Sequence, residues 1–185
     1  MEDNFYITTP IYYVNSRPHI GHAYTTILVD VLRRFRRLFG QGTYFLTGTD
    51  EHGQKIVESA YDYGISPKEF VDRISKEFLE MWPSLHIKYD QFIRTTDNEH
   101  KSCVQQILKK IFEKGEIFLK EYEGLYCVGC ERFLDESELE NGNCPDHKKT
   151  PEFYKEKNYF FRMSSYQEWL LKELKEKDSW VYPSR

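Results

Sequence analysis

Two clusters in this chain have residue types and spacings that suit chemistry. The first is His19-Ile20-Gly21-His22, in the opening turn of a strongly periodic segment. Histidines three apart project from one face of a helical turn. Gly21 between them leaves the backbone bare, so a flat ring could lie against it. A helix start also offers unpaired backbone N–H groups and the positive end of the helix dipole, which suit a phosphate. The combination predicts a place to hold a nucleotide through His19, Gly21 and His22, with the two histidines stabilising charge that develops on its phosphates. On these residues alone the plainer reading, a pair of helix-start histidines beside a tight turn, stays open. The second cluster is Cys127-x-x-Cys130 followed, after thirteen intervening residues, by Cys144-x-x-His147. Two ligand pairs of matched spacing predict a tetrahedral zinc knuckle over residues 126–148. Four protein ligands close the shell, so the zinc is expected to be structural. Gly129 is expected to permit the tight turn inside the first pair, and Pro145 to stiffen the second. The polar stretch 138–143 between them is expected to rely on the metal for its order. The fourth cysteine, Cys103, falls within a helical pattern and reads as a small core residue.

These residues need elements to position them. Phe5-Tyr6-Ile7-Thr8-Thr9 reads as a strand that breaks at Pro10. Pro18 then biases the chain toward a helix start. Ala23, Tyr24, Ile27, Leu28, Val31, Leu32, Phe35, Leu38 and Phe39 recur at helical spacing. That periodicity predicts a helix over 20–39 that buries a broad apolar face, closed by Gly40 and Gly42. A second strand over 43–47 delivers Asp50-Glu51-His52-Gly53, and a helix follows to about Tyr63. Ser66-Pro67-Lys68-Glu69 is a capping box with proline at the first helical position, predicting a helix to Trp82. Residues 89–95 read as a third strand. Thr96-Asp97-Asn98-Glu99 reads as another capping box, opening a helix that ends near Gly115. Beyond the knuckle, residues 158–163 read as a strand, and Ser164-Ser165 as the cap of a helix carrying Trp169, Leu170 and Leu174.

Alternating strands and helices imply parallel βαβ units and an α/β fold. In such open sheets ligands sit beyond the carboxyl ends of the strands, where the histidine turn and the Asp50 segment both fall. A carboxylate there can pair with an α-ammonium group. It can equally serve as the N-cap of the next helix.

Length and composition set the class. The 185 residues can bury a core, and aromatics are abundant, with 14 tyrosines and 13 phenylalanines. No stretch approaches the ~18 apolar residues of a membrane span. Glu2-Asp3-Asn4 begin the chain with neither a secretory nor a transit signal, so a cytoplasmic location is expected. A net charge of −4 supplies no global basic field for nucleic acid. The densest basic run, Arg33-Arg34-Phe35-Arg36-Arg37, reads as the solvated side of the first helix.

The stretch Tyr6-Ile-Thr-Thr-Pro-Ile-Tyr-Tyr-Val-Asn-Ser-Arg-Pro-His-Ile-Gly-His22 resembles the first signature of class I aminoacyl-tRNA synthetases. Its joining to Thr47-Gly-Thr-Asp-Glu-His-Gly53 resembles the methionyl-tRNA synthetase family in particular. The resemblance runs from Phe5 to about Tyr182. It implies the first half of a Rossmann-type parallel sheet over residues 1–115, and a truncated inserted (connective peptide) domain with the zinc knuckle over 116–185. It implies ATP, with Mg2+, as substrate at His19, Gly21 and His22. It also implies methionine in a pocket formed by Ile11, Tyr13 and Asp50, with Asp50 on the amino group. tRNA-Met would be the acceptor. Many members complete the knuckle with a fourth cysteine where His147 stands here.

Arg162-Met163-Ser164-Ser165-Tyr166 faintly resembles the family's Lys-Met-Ser-Lys-Ser signature, but Ser165 replaces its second lysine. The resemblance therefore implies an N-terminal fragment without that loop or an anticodon-binding domain. It leaves open whether a second chain supplies the other half. Two further readings stay open at this point: a catalytically silent module derived from a synthetase, and another nucleotidyl-transfer enzyme on the same fold.

Overall fold

β-Branched and aromatic runs alternating with amphipathic segments fold here as strands and helices in turn. The computed structural model describes residues 4–177; the acidic Glu2 and Asp3 and the closing residues 178–185 lie outside the described residues. The chain divides into two compact units, one ending at Val104 and the other starting at Gln105. Among the described residues no helix is long and apolar enough to cross a membrane.

The first unit contains β1 (Phe5–Thr8), β2 (Tyr12–Tyr13), α1 (Ile20–Leu38), β3 (Thr43–Asp50), α2 (Gln54–Asp62), α3 (Pro67–Ser84) and β4 (Gln91–Arg94). All pairings are parallel, as the βαβ reading requires. β1 runs beside the first half of β3, from Phe5 opposite Thr43 to Thr8 opposite Leu46. Pro10 interrupts the edge, and β2 resumes it with Tyr12 opposite Thr49 and Tyr13 opposite Asp50. β4 takes the other edge, from Gln91 opposite Leu46 to Arg94 opposite Thr49. β3 is thus the central strand, and it extends to Asp50 itself. One face of the sheet, through Phe45, packs on Ile56 and Ala60 of α2 and on Phe70, Val71, Ile74, Phe78 and Trp82 of α3. α3 opens with the reciprocal Ser66–Glu69 capping box and Pro67 in its first turn, as the sequence predicts.

α1 departs from expectation. The residues it buries are Thr26, Asp30 and Arg33, whereas the apolar stripe is open, with Tyr24 at 65%, Phe35 at 52% and Leu38 at 83% exposure. The polar side is seated by an ion pair. Arg33 donates to the Lys88 carbonyl at 2.8 Å and to both oxygens of Asp90 at 3.2 Å. Asp90 in turn accepts from the backbone N–H of Phe45 at 2.8 Å. Arg33 is therefore a buried anchor, not part of a solvated basic face.

α4 (Asn98–Glu113) starts without the expected threonine cap. The Thr96 hydroxyl donates to Glu51, and the Asp97 carboxylate accepts from the Arg94 N–H at 3.1 Å. Cys103, expected in a core, is exposed.

The second unit is a small antiparallel sheet. β5 (Ile117–Cys127) pairs with β6 (Arg132–Leu134) and, over ten residues, with β7 (Glu152–Phe161). The sequence reading missed β5 because the charges of Lys120, Glu121 and Glu123 break its apolar alternation. The two glutamates are answered across the strands, where Lys155 lies 3.2 Å from both Glu121 and Glu123. β7 begins earlier than predicted and ends at Phe161. Met163 to Tyr166 form a 3₁₀ turn before α5 (Gln167–Glu176), so Ser164 and Ser165 do not cap that helix.

The role of Arg33 yields a test. Arg33→Ala leaves Asp90 with only the Phe45 N–H and the more distant Arg37 and is expected to cost about 2 kcal/mol in chemical denaturation, as for lost hydrogen bonds to a charged group. Leu38→Ser, on the open stripe, should change stability by less than about 0.5 kcal/mol. The reverse ranking would show that the apolar stripe, not the ion pair, holds the helix.

Candidate functional site

The histidine turn caps itself. His19 is the N-cap of α1, and its Nδ1 accepts from the Gly21 N–H at 3.1 Å. His22 Nδ1 accepts reciprocally from the His19 N–H at 3.2 Å. The N–H groups of His22 and Ala23 reach the His19 carbonyl at 3.0 and 3.3 Å. The donors expected to await a phosphate are therefore mostly used within the turn. What the turn offers instead is Nε2. With both Nδ1 atoms accepting, the neutral imidazoles carry their protons on Nε2 and present two N–H donors.

The rings stack at 3.8 Å between centroids. The flat ring against Gly21 is that of His19 itself. A Cβ at position 21 would lie 2.9 Å from His19 Cε1, closer than carbon atoms tolerate, so any side chain there displaces the imidazole.

Tyr12 of β2 supports the turn from below. Its ring lies 4.8 Å from that of His22 and 5.6 Å from Phe78, stacked on the latter. Its hydroxyl is 2.6 Å from Thr26 Oγ1, which donates to the His22 carbonyl at 2.9 Å. His22 also touches Phe78, with centroids 5.1 Å apart. Burial in this aromatic nest, with the charge of His19 adding to it, lowers the His22 pKa below the ordinary histidine value of 6.5.

The next residue of β2, Tyr13, is the register partner of Asp50. The Val14 N–H donates to the Asp50 carbonyl at 3.2 Å, extending that pairing. Both Tyr13 and Asp50 are half-buried, while Ile11, just before β2, is 43% exposed. Asp50 is not a helix cap, because Gly53 occupies that position at α2 with no side-chain bond. His52, left without a role by the sequence, places Nε2 3.3 Å from the Thr95 carbonyl.

Sequence reasoning also missed Glu51 and Arg94. The Glu51 side chain is fully buried and accepts from Arg94 Nε at 2.7 Å and Nη2 at 2.9 Å. Burial pushes its carboxyl up, but Arg94 and the hydroxyls of Thr96 and Thr49 outweigh this and hold it below the usual carboxylate range. The clue in the sequence was a second acid directly after Asp50, a position that strand alternation turns to the opposite face.

In the second unit, Cys127, Cys130, Cys144 and His147 bring one ligand atom each within 4.8 Å of one another. His147 Nδ1 lies 3.3, 3.8 and 4.0 Å from the sulfurs of Cys130, Cys144 and Cys127, and Cys130 Sγ lies 3.4 Å from Cys144 Sγ. A tetrahedral shell with bonds of 2.0–2.3 Å has edges of roughly 3.3–3.8 Å, so a small contraction of the set would seat a metal ion. The sulfur separation is far beyond a disulfide bond. Gly129 lies within the turn over residues 128–131, as expected. It also admits the His147 ring, whose carbons would lie 2.5 Å from a Cβ there. Residues 135–148 also carry order of their own. Asp135 and Glu138 form a reciprocal capping box, and Glu140 bridges Asn143. Cys127, Cys144 and Leu134 are at the same time the buried cluster of this unit.

The model of the family described as tRNA synthetases class I (M) matches residues 5–150. The chain belongs to that family. It is 50% identical over 179 residues to the methionine–tRNA ligase of Clostridium tetani, covering 97% of this chain and 28% of that protein. Against the Thermotoga maritima ligase it is 48% identical over 183 residues, covering 97% of this chain and 29% of the relative. The chain therefore spans less than a third of the length of these relatives.

A solved Mycobacterium tuberculosis methionyl-tRNA synthetase, in complex with methionyl-adenylate, superposes with a TM-score of 0.91 at 37% identity, over 98% of this chain and 36% of that one. A leucyl enzyme from Agrobacterium radiobacter, at 19% identity and a TM-score of 0.79, shares the fold. The reading as a small adenylyltransferase of another family is set aside.

The capping geometry yields a titration test. His22 in ¹⁵N-histidine spectra should be the Nε2–H tautomer and titrate below 6.5. Its folded pKa is depressed, so stability is full above 6.5 and falls as pH drops from 6.5 through the folded value. Titration at or above 6.5, or an Nδ1–H tautomer, would contradict the reciprocal cap.

Proposed function

We propose that the whole protein is a methionine–tRNA ligase and that this chain supplies its nucleotide-facing histidine turn and part of its methionine pocket. The observation that carries this reading is β2. Its two consecutive residues join the two halves of the site, Tyr12 beneath His22 and Tyr13 beside Asp50. In this reading the Asp50 carboxylate holds the α-ammonium of methionine through a charge-assisted bond. Tyr13 and Ile11 flank the thioether, which packs well on an aromatic face. The methionine carboxylate attacks the α-phosphorus of ATP, bound with Mg2+, and pyrophosphate leaves. The Nε2–H groups of His19 and His22 donate to phosphate oxygens as charge builds on them, so these residues contribute positioning and electrostatics. The 3′-terminal hydroxyl of tRNA-Met then attacks the carbonyl of the methionyl-adenylate, forming the ester as the acyl–phosphate bond breaks and AMP leaves.

We further infer that Cys127, Cys130, Cys144 and His147 hold one zinc ion. The closed N/S donor set and the ligand spacing support it. Zinc there ties β5 to the 144–147 turn and supplies no reaction chemistry. In a unit whose buried cluster is largely the ligands themselves, the metal stands in for a hydrophobic core.

Methionine-dependent ATP–pyrophosphate exchange by the whole protein, with leucine, isoleucine and cysteine as controls, tests the function. Exchange specific to methionine is expected, with a loss of at least about a hundredfold in His22→Ala, as for removal of a transition-state donor. Equal exchange with another amino acid, or none with methionine, refutes the reading. Metal analysis should give one zinc per chain, lost in Cys144→Ala. Chelation should unfold the second unit while the first keeps its helical signal. Full order of residues 117–161 without metal would contradict the structural role.

A further inference from the structure

One buried charge cluster has no part in the site as proposed. Glu51 follows directly after β3, and its side chain is wholly withdrawn from solvent. Arg94, at the end of β4, grips it with a two-pronged fork and also reaches Asp72 of α3 at 2.6 Å. The Thr49 hydroxyl donates to Glu51 at 2.7 Å and lies 3.2 Å from the Ser75 hydroxyl of α3. Thr96 supplies a further hydroxyl. The backbone joins in, with Glu51 N–H donating to Thr95 Oγ1 at 2.8 Å and Thr95 N–H to the Thr49 carbonyl at 3.2 Å.

Apolar side chains of similar volume could hold a strand to a helix at no greater free-energy cost than a buried ion pair. An apolar contact lacks direction, however, whereas a guanidinium–carboxylate fork fixes both distance and angle. The residue whose angle is at stake is Asp50. Its neighbours on either side, Thr49 and Glu51, both turn toward α3 and β4 and are bonded there. Strand alternation sends Asp50 the other way, where Tyr13 is its register partner.

We propose that Glu51 and Arg94 are positioning residues for amino-acid binding, clamping the end of β3 so that the Asp50 carboxylate meets the substrate ammonium. This rests on the reading of Asp50 given above. The hydrogen bonds of the cluster reach β4, α3 and residues 95–96, while the nucleotide-facing histidines belong to α1. α3 also reaches His22 through Phe78, so the clamp is expected to act chiefly on methionine and only weakly on ATP.

Steady-state exchange by the whole protein tests this in Glu51→Gln, Arg94→Lys and the gentler Thr96→Val, which removes one donor and keeps the fork. The KM for methionine should rise about tenfold in the first two and about threefold in the third, with the KM for ATP within about twofold and kcat nearly unchanged. The double variant Glu51→Gln/Arg94→Lys should be no worse than the poorer single one, because the pair acts as a unit. Asp50→Asn is run alongside. A methionine KM that stays put in Thr96→Val and Glu51→Gln beside a defective Asp50→Asn overturns the positioning role alone. An Asp50→Asn variant with unaltered methionine KM overturns the reading of Asp50, and the clamp with it. Lowered thermal stability with both KM values unchanged would show the cluster to be merely structural.

Discussion

The candidate site depends on a strand of two residues. β2 is too short to contribute much pairing energy, yet successive strand residues face opposite ways. Tyr12 turns into the core, where Phe78, Trp82 and Thr26 hold it and where it supports His22. Tyr13 lies beside Asp50, half-buried at the edge of the core. Pro10 makes this possible, since it stops β1 and lets the edge restart in a new register against β3. A one-residue slip of β2 would reverse both tyrosines and separate the histidine turn from its support.

Around that strand, directional polar contacts do much of the work that apolar packing does elsewhere. Arg33 and Asp90 seat α1, Glu51 and Arg94 fix the end of β3, and reciprocal histidines cap α1. Each of these fixes an angle as well as a distance. In the second unit the same preference goes further, for the ligand cluster is also the core. A long β5–β7 ribbon with most of its side chains open to solvent is thereby rooted at one end in Cys127.

Local signals in the sequence were read correctly where the structure is local. The Ser66 capping box, the parallel strand–helix order and the Cys/His spacing all correspond to what forms. Signals failed where distant partners decide. The periodicity of α1 could not reveal that its polar side would be buried, because Lys88 and Asp90 lie more than fifty residues away. Thr96 looked like a cap until Glu51 claimed its hydroxyl, and β5 looked too charged for a strand until Lys155 arrived across the sheet. At the candidate site, the histidines and Asp50 were legible as residue types. Their link through Tyr12 and Tyr13 needed the register of a strand too short to register in any pattern.

The most direct test of the account is a crystal structure of the whole protein with a non-hydrolysable methionyl-adenylate analogue. The account predicts the α-ammonium about 3 Å from the Asp50 carboxylate, the thioether against Tyr13, and the phosphate mimic within hydrogen-bond reach of Nε2 of His19 and His22. An adenylate bound with Asp50 turned away, or with Nδ1 of either histidine toward the phosphate, would contradict it.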